Sequence, residues 1–517
     1  MRRFLYIGVF FSGMASLAVE LSASRLLGNY FGSSNLVWAA IIGLILIYLA
    51  IGYILGGKLA DRYPRYNIFF AILAWAGLLI GIIPLISRPI LRVASQSFDS
   101  MQLGPLFGSF VAVLILFSAP VILLGTASPF AFRLAMNDQK KAGRISGEIY
   151  AVSTLGSFIG TFLPVLWLIP VIGTYRTFVS ISASLLFVAL VGLWKTESIK
   201  DMLKYIWMPF LLALLSFWGL RGLDKSAEGL VYETESAYNY IQVQEINGFR
   251  YLRLNEGQGI HSVYSPSQVD YNGPWEQVLV APFIAPSVCD INKIKSMAII
   301  GLAAGTSAKE ALLVFPNLTI DGYEIDPKVV QVGQDWFAMN DARLNVIIED
   351  GRWGLSNSNK LYDFISIDAY RPPYIPWHLT TLEFFQEVFN HLNPNGAMVL
   401  NVARIMDDRR LLDSLYATIH LVFPSVFISD VPGTFNSMIF ASVHKSDVVA
   451  LAANYQCLAN QPKTPALLLN NFSKTLTNLK PDPNEGTIYT DDRDSVELLT
   501  NQMIFNFVAS GKTTVLK

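Results

Sequence analysis

The sequence predicts two fold classes in one chain: an N-terminal all-α, multi-span membrane bundle, then a C-terminal doubly wound α/β domain preceded by a small antiparallel β-sheet. Three observations predict this. The 517 residues are 52% hydrophobic and only 15% charged, with a mean hydropathy of +0.41, whereas soluble proteins carry about 25% charged residues. Apolar runs of about 20 residues, the length that crosses a bilayer, follow one another up to Leu220. Beyond Arg221 short apolar runs alternate with helical stretches, which implies a parallel sheet with crossover helices. The expected domains are a transmembrane part over 1–222, a small β part over 231–285 and the α/β part over 286–517.

The runs read roughly as 4–24, 36–56, 68–87, 106–127, 148–170, 175–194 and 203–220, about seven spans of a multi-pass inner-membrane protein. The first lacks a clear cleavage site and six more follow, so an uncleaved first helix is expected. "GGKLADRYPR", Gly56 to Arg65, resembles the short cytoplasmic motif of major facilitator transporters. A capped, salt-bridged turn and a gating element are its two readings. Gly156 and Gly160, four apart inside the fifth run, suit close helix packing. Glu20 and Glu148 are intramembrane carboxylates, costly unless paired, and Arg25 is the expected partner of Glu20. Basic residues such as Arg2, Arg3, Lys58, Arg62 and Arg65 mark the N-terminal side as cytoplasmic. Seven spans then carry the α/β part outside, while a nucleotide-type ligand is a cytosolic metabolite. A net charge of −1 without a basic stripe excludes nucleic acid as a partner. The two cysteines, Cys289 and Cys457, are too few for a disulfide framework and lack metal-ligand spacing.

In the second half, "YNYIQVQEI" and "FRYLRLNEGQGIHSVY" alternate with the period of a half-buried antiparallel sheet. "IKSMAIIGLAAGTSAKEALLVF" then reads as a buried strand, a glycine turn from Gly301 to Gly305, and a helix. Glu324 ends the next strand about 20 residues past that turn, where such folds set a carboxylate on ribose hydroxyls. "EDG", with Asp350 and Gly351, ends a third strand and offers an acceptor to an adenine amino group. Acceptors at neighbouring strand ends converge on one crevice, which predicts an adenosyl ligand. A further strand, "YDFISIDAY", ends in Asp368 before a proline-rich loop. A carboxylate there is a candidate base; a helix cap or loop hydrogen bond is the alternative.

That order of motifs resembles the S-adenosylmethionine-type methyltransferase fold, a Rossmann-like arrangement. More narrowly it resembles the spermidine synthase (polyamine aminopropyltransferase) family, in the branch fused to a facilitator-like membrane domain. "SAYNYIQV", "DAYRPPYIPWHLTTLEFF", "TDDRDSVELL" and, near the start, "SGMASLAVELSASRLLGNYFG" carry the resemblance. It implies decarboxylated S-adenosylmethionine or S-adenosylmethionine as donor, an amine-like acceptor, no metal, and Asp368 as catalytic base. Cofactor contacts would fall on Asn239 (a glutamine in the family), Gly301, Gly305, Glu324, Asp350 and Gly351. Substrate contacts would fall on Trp275, Gln277, Tyr370 and His378. Departures are equally visible. Ala303 and Ala304 stand inside the glycine turn, and Trp275, Glu276 and Gln277 stand where the synthases carry a tyrosine and polar residues. Arg371, Pro372 and Pro373 stand where a second aspartate binds the amine, with Asp491 and Asp492 as candidate replacements. Arg371 beside Asp368 predicts that putrescine is a poor acceptor and that a shorter, monovalent or partly anionic nucleophile does better. A methyltransferase-like enzyme, an adenosyl-binding sensor and a transport-coupled module are the alternatives. The bilayer is an expected partner, and homo-oligomerisation is left open.

Overall fold

Long apolar runs in lipid satisfy their backbone groups internally, as helices, and the first unit of the protein is built of them. The computed structural model describes residues 1–31, 35–101, 104–136, 141–219, 227–255, 259–370, 374–404, 408–483 and 485–509. They fall into two units, Met1–Ser226 with Glu235–Tyr240, and Ala227–Thr234 with Ile241–Lys517.

The first unit comprises α1 (Arg2–Phe31), α2 (Asn35–Arg62), α3 (Tyr66–Met101), α4 (Gly104–Ala135), α5 (Ala142–Leu163), α6 (Ile169–Ile172), α7 (Thr174–Thr196), α8 (Ile199–Leu203) and α9 (Trp207–Gly219). Among the described residues six segments are long and apolar enough to cross a membrane, the fifth running from Ala142 to Ile172. Of the seventh expected span, 203–220, the described residues hold α9, with 13 residues, and Leu220 lies outside them. At 1.5 Å per residue α9 reaches about 20 Å, short of a hydrocarbon core of about 30 Å.

The small residues of the fifth run work as packing sites. A Cβ on Gly156 would overlap the Phe10 carbonyl oxygen, and one on Gly160 the Met14 carbonyl, so α1 and α5 touch backbone to backbone. Glu148 accepts from Arg2, Tyr6 and Arg144 at 2.8–2.9 Å. Asp61 pairs with Arg133 at 3.1 Å, which ties the end of α2 to that of α4. Arg25 does not pair with Glu20 as expected. It donates to Glu235 at 3.2 Å and to the Tyr238 carbonyl at 2.9 Å, within the same unit.

The second unit contains two sheets. The small antiparallel one runs β1 (Leu230–Glu235), β2 (Tyr240–Ile246), β3 (Phe249–Leu254), β4 (Ser262–Tyr264). The large one uses β5 (Ser296–Ile300), β6 (Thr319–Tyr323), β7 (Leu344–Ile347), β8 (Tyr362–Ile367), β9 (Leu392–Ala403), β10 (Ser425–Asp430), β11 (Asn436–Ser442) and β12 (Leu479–Lys480). Its order is β12-β10-β11-β9-β8-β5-β6-β7. The five strands from β9 to β7 are parallel, and β11, β10 and β12 join antiparallel. The central parallel strands β5 and β8 are buried on both faces along most of their length, which is why "SMAII" and "YDFISI" read as largely apolar runs.

The chain winds outward from β5 through β6 to β7, then returns to β8 on the other side of β5. The strand order therefore reverses between β5 and β8, the place where such sheets open a crevice beyond their carboxyl ends. Cys289 and Cys457 are joined by a disulfide across 168 residues. A cross-link closing so long a loop stabilises a fold by about 2–4 kcal/mol. Two cysteines, too few for a framework, still make one staple.

Candidate active site

A cavity of about 800 Å³ opens at that reversal. Its floor is the ends of β5 and β8, β9 and β11 flank it, and β3, β4 and the loop from Gln268 to Trp275 cover it. The two central strands meet closely at Gly301. Its φ is +88°, and a Cβ there would overlap the Asp368 carbonyl oxygen and press Ala369 Cα at 2.7 Å. Only glycine fits such a crossing without strain. The Asp368 amide donates to the Ile300 carbonyl at 2.8 Å and completes the join.

Asp368 follows β8 directly and lines the cavity. Its Oδ1 accepts from Asn401 Nδ2 at 2.9 Å. Burial pushes the carboxyl up to about 6, and the Asn401 hydrogen bond pulls the other way. Tyr370 also lines the cavity. Its hydroxyl donates to the Asn401 carbonyl at 2.9 Å and accepts from the Ala403 amide at 2.6 Å. Burial holds that phenol well above its ordinary range, so it stays neutral and stitches β8 to β9. Trp275 stands in the opposite wall. Arg371 lies outside the described residues, and with it the expectation that it sits beside Asp368.

The other expected residues are placed differently. Glu324 folds back on the glycine turn. Its two oxygens accept from the Ala303 and Asp326 amides, each at 3.0 Å, and burial pushes its carboxyl up to about 7. Asp350 caps the helix Gly351–Ser356 by accepting from the Arg352 and Trp353 amides at 3.0 Å. Its second oxygen takes His378 Nε2 at 3.0 Å, and that bond holds the Asp350 carboxyl below its usual range. Gly305, at φ +82°, starts the helix Thr306–Val314, and Gly351 packs on Ile300. None of these five residues lines the cavity. Gln277 does not reach it either. It is 1% exposed in the turn Glu276–Phe283, where Gln277 Oε1 accepts from Thr475. Asn239 sits in a tight turn closed by Ser236, whose hydroxyl accepts from its amide at 2.8 Å; this turn counts with the helical unit. Asp491 is taken by Arg352 at 2.8 Å.

Among the cavity residues with no counterpart in the sequence reading are Asn401, Asn436, His261 and Asp270. An amide closing the buried run "GAMVLN" was a visible signal for Asn401. His261 lines the cavity with a buried Nε2 that has no hydrogen-bond partner, and burial beside Arg253 pushes it down to about 4, so it is neutral. Among the described lining residues, Asp270 and Asp368 carry the formal charges, and Lys474, outside the lining, stands 3.8 Å from Asp270. Aromatic rings of Phe249, Tyr251, Tyr271, Trp275, Tyr370 and Phe435 make up much of the wall. Such a lining attracts cations, which fits a sulfonium or an ammonium.

The family described as "Spermine/spermidine synthase domain" matches residues 286–453. A probable polyamine aminopropyl transferase of Bifidobacterium longum is 34% identical over 215 residues, 41% of this chain and 47% of that protein. A polyamine aminopropyltransferase of Vibrio vulnificus is 27% identical over 283 residues, 53% of this chain and 89% of that protein. Among solved structures, a probable spermidine synthase from Corynebacterium glutamicum aligns with 52% of this chain and 97% of its own, at 18% identity and a TM-score of 0.41. The chain thus spans about half the length of the Bifidobacterium relative, and the matched region holds β5 to β11 with the floor of the cavity.

Proposed function

We propose that the protein is a membrane-anchored transferase that moves an aminopropyl or related group from an S-adenosyl sulfonium to an amine. The observation that carries this reading is Asp368: a carboxyl pushed up to about 6, on the floor of a cavity whose described lining is anionic and aromatic. The cavity suits the reactants by charge, since donor and acceptor are both cations. The names of the relatives support the same chemistry.

In this reading the amine loses its proton to Asp368 and attacks the carbon beside sulfur. A carbon–nitrogen bond forms, the carbon–sulfur bond breaks, and the neutral thioether leaves. At neutral pH an acid of about 6 is mostly ionised, yet basic enough to hold the proton, the compromise general bases need. Trp275 and Tyr370 align the reactants, and Asp270 takes a positive charge on the acceptor. The domain division at about 222 and 286 is part of the proposal, with the helical part as anchor. Basic loops place the N-terminus in the cytoplasm, and six spans, an even number, keep the transferase part there with its donor. The Cys289–Cys457 disulfide weighs for the outer face, because cytosolic thiols oppose such bonds. Labelling a C-terminal cysteine probe from each side of sealed vesicles decides between the two.

The test incubates purified full-length protein with decarboxylated S-adenosylmethionine and a panel of monoamines and diamines, with products read by mass spectrometry. Amine-dependent thioether release with an aminopropyl adduct is expected, and Asp368→Asn removes it. Donor binding with no amine-dependent release would leave a sensor. Methylated products would make it a methyltransferase.

A further inference from the structure

We infer that Asn436 is a positioning residue for Asp368, acting through Asn401; the inference rests on the reading of Asp368 as the base. Asp368 follows β8, Asn401 lies near the end of β9 and Asn436 begins β11; the three strands are adjacent, and all three residues line the cavity. Asn436 Nδ2 donates to Asn401 Oδ1 at 2.9 Å. Asn401 Nδ2 donates in turn to Asp368 Oδ1 at 2.9 Å. The register explains the contact. Met438 lies opposite Asn401 across the β9–β11 pair and Asn436 opposite Ala403, so Asn436 and Asn401 are diagonal neighbours on one face of the sheet.

An asparagine side chain has two ends of opposite character, a carbonyl and an amino group, related by a half-turn. An ionised Asp368 favours the amino end, since an inward carbonyl would repel the carboxylate and remove its donor. Asn436 reinforces that orientation, because its N–H is taken by the Asn401 carbonyl. The Asn401 amino group is thereby committed to Asp368 Oδ1, and Oδ2 is left for the proton of the incoming amine. The Tyr370 hydroxyl fixes the same stretch of β9 through the Asn401 carbonyl and Ala403 amide, so the relay sits on a braced backbone. Relays of this kind hold a reacting group in place through partners that never touch the substrate.

The relay stabilises the ionised form of Asp368, so breaking it raises the pH at which the base becomes available. The test compares Asn401→Leu, Asn436→Leu, Asn436→Ser and the double Leu variant in the full-length protein. Two readouts are used: the acid limb of the transfer rate, and the pH midpoint of amine affinity by calorimetry, which needs no turnover. Asn401→Leu is expected to move both upward by about one pH unit, the loss of one hydrogen bond to a charged group. Asn436→Leu should move them by about half of that, and the serine variant, whose hydroxyl still donates, should recover part of the shift. The double variant should match Asn401→Leu alone, since Asn436 acts only through Asn401. Additive shifts, no shift, or a slower rate with an unmoved acid limb and a lower Tm would each overturn the relay. Full transfer by Asp368→Asn would overturn the base itself, a separate result.

Discussion

Glu324, Asp350 and Asp368 end neighbouring strands of one sheet and face the same edge, yet the three carboxylates are engaged in different ways. Glu324 and Asp350 are closed into their own loops: each accepts two backbone amides, and Asp350 takes His378 as well. Asp368 accepts a single side-chain amide and stands on the cavity floor. The first two shape their own loops, while the third faces the cavity and, under the proposed reaction, keeps an oxygen for chemistry. Position at a strand end therefore marks where a carboxylate stands; its remaining lone pairs decide what it can do.

The largest expected effect tests the open member. Asp368→Asn should slow transfer by about 10²–10⁴-fold, the usual worth of a positioned base, with affinity for an adenosyl thioether unchanged by calorimetry. Equal loss in both measurements would mean Asp368 is a binding group like the others. Next comes Glu324→Gln. If a lone pair still reaches a ribose hydroxyl, thioether affinity should fall by about ten-fold, the cost of losing a charge-assisted hydrogen bond. Unchanged affinity would leave Glu324 a purely internal brace of the glycine turn. Asp350→Ala removes a helix cap, so it should cost about 1–2 kcal/mol of stability, seen as a lower Tm. Weaker adenosyl binding at an unchanged Tm would instead reopen Asp350 to the ligand.

The smallest effect separates the raised carboxyls from the lowered one. Asp368 and Glu324 titrate near 6 and 7 in the folded protein, against ordinary values of 3.8 and 4.5. Between about pH 4 and 7 the folded chain holds protons that the unfolded chain has released, so stability falls as pH rises across that window. Asp368→Asn and Glu324→Gln should each flatten the fall in denaturant titrations at pH 4.5 and 7. Asp350, whose carboxyl is lowered, contributes the opposite slope, present above its unfolded value and lost towards acid pH.

The strand ends were legible because each is a buried apolar run meeting an acid, a pattern carried by a dozen consecutive residues. The partners were not. His378 is 28 residues from Asp350, Asn401 is 33 from Asp368, and Asn436 is 35 from Asn401. Such pairs are set by which strands the sheet places side by side. Gln277 was expected at the substrate because it stands where the resembled synthases carry polar residues, but the turn from Glu276 to Phe283 is buried along its whole length and carries the glutamine into the core. The three antiparallel strands β10 to β12 escaped notice too, since the alternation of strands with helices had predicted parallel ones.

The two carboxylates of the described cavity lining also set an order in time. Under the proposed reaction, both molecules that enter are cations and the thioether that leaves is neutral. Asp270, Asp368 and the aromatic walls therefore pull on the reactants and release their electrostatic hold on the thioether when the carbon–sulfur bond breaks. Capture should slow as salt rises, because charges more than about 10 Å apart are screened at 0.1 M ionic strength, while escape of the thioether should be indifferent to salt. The same carboxylates that prepare the chemistry thus make exit of the neutral thioether unlike exit of the amine product, which is still a cation, without any moving part.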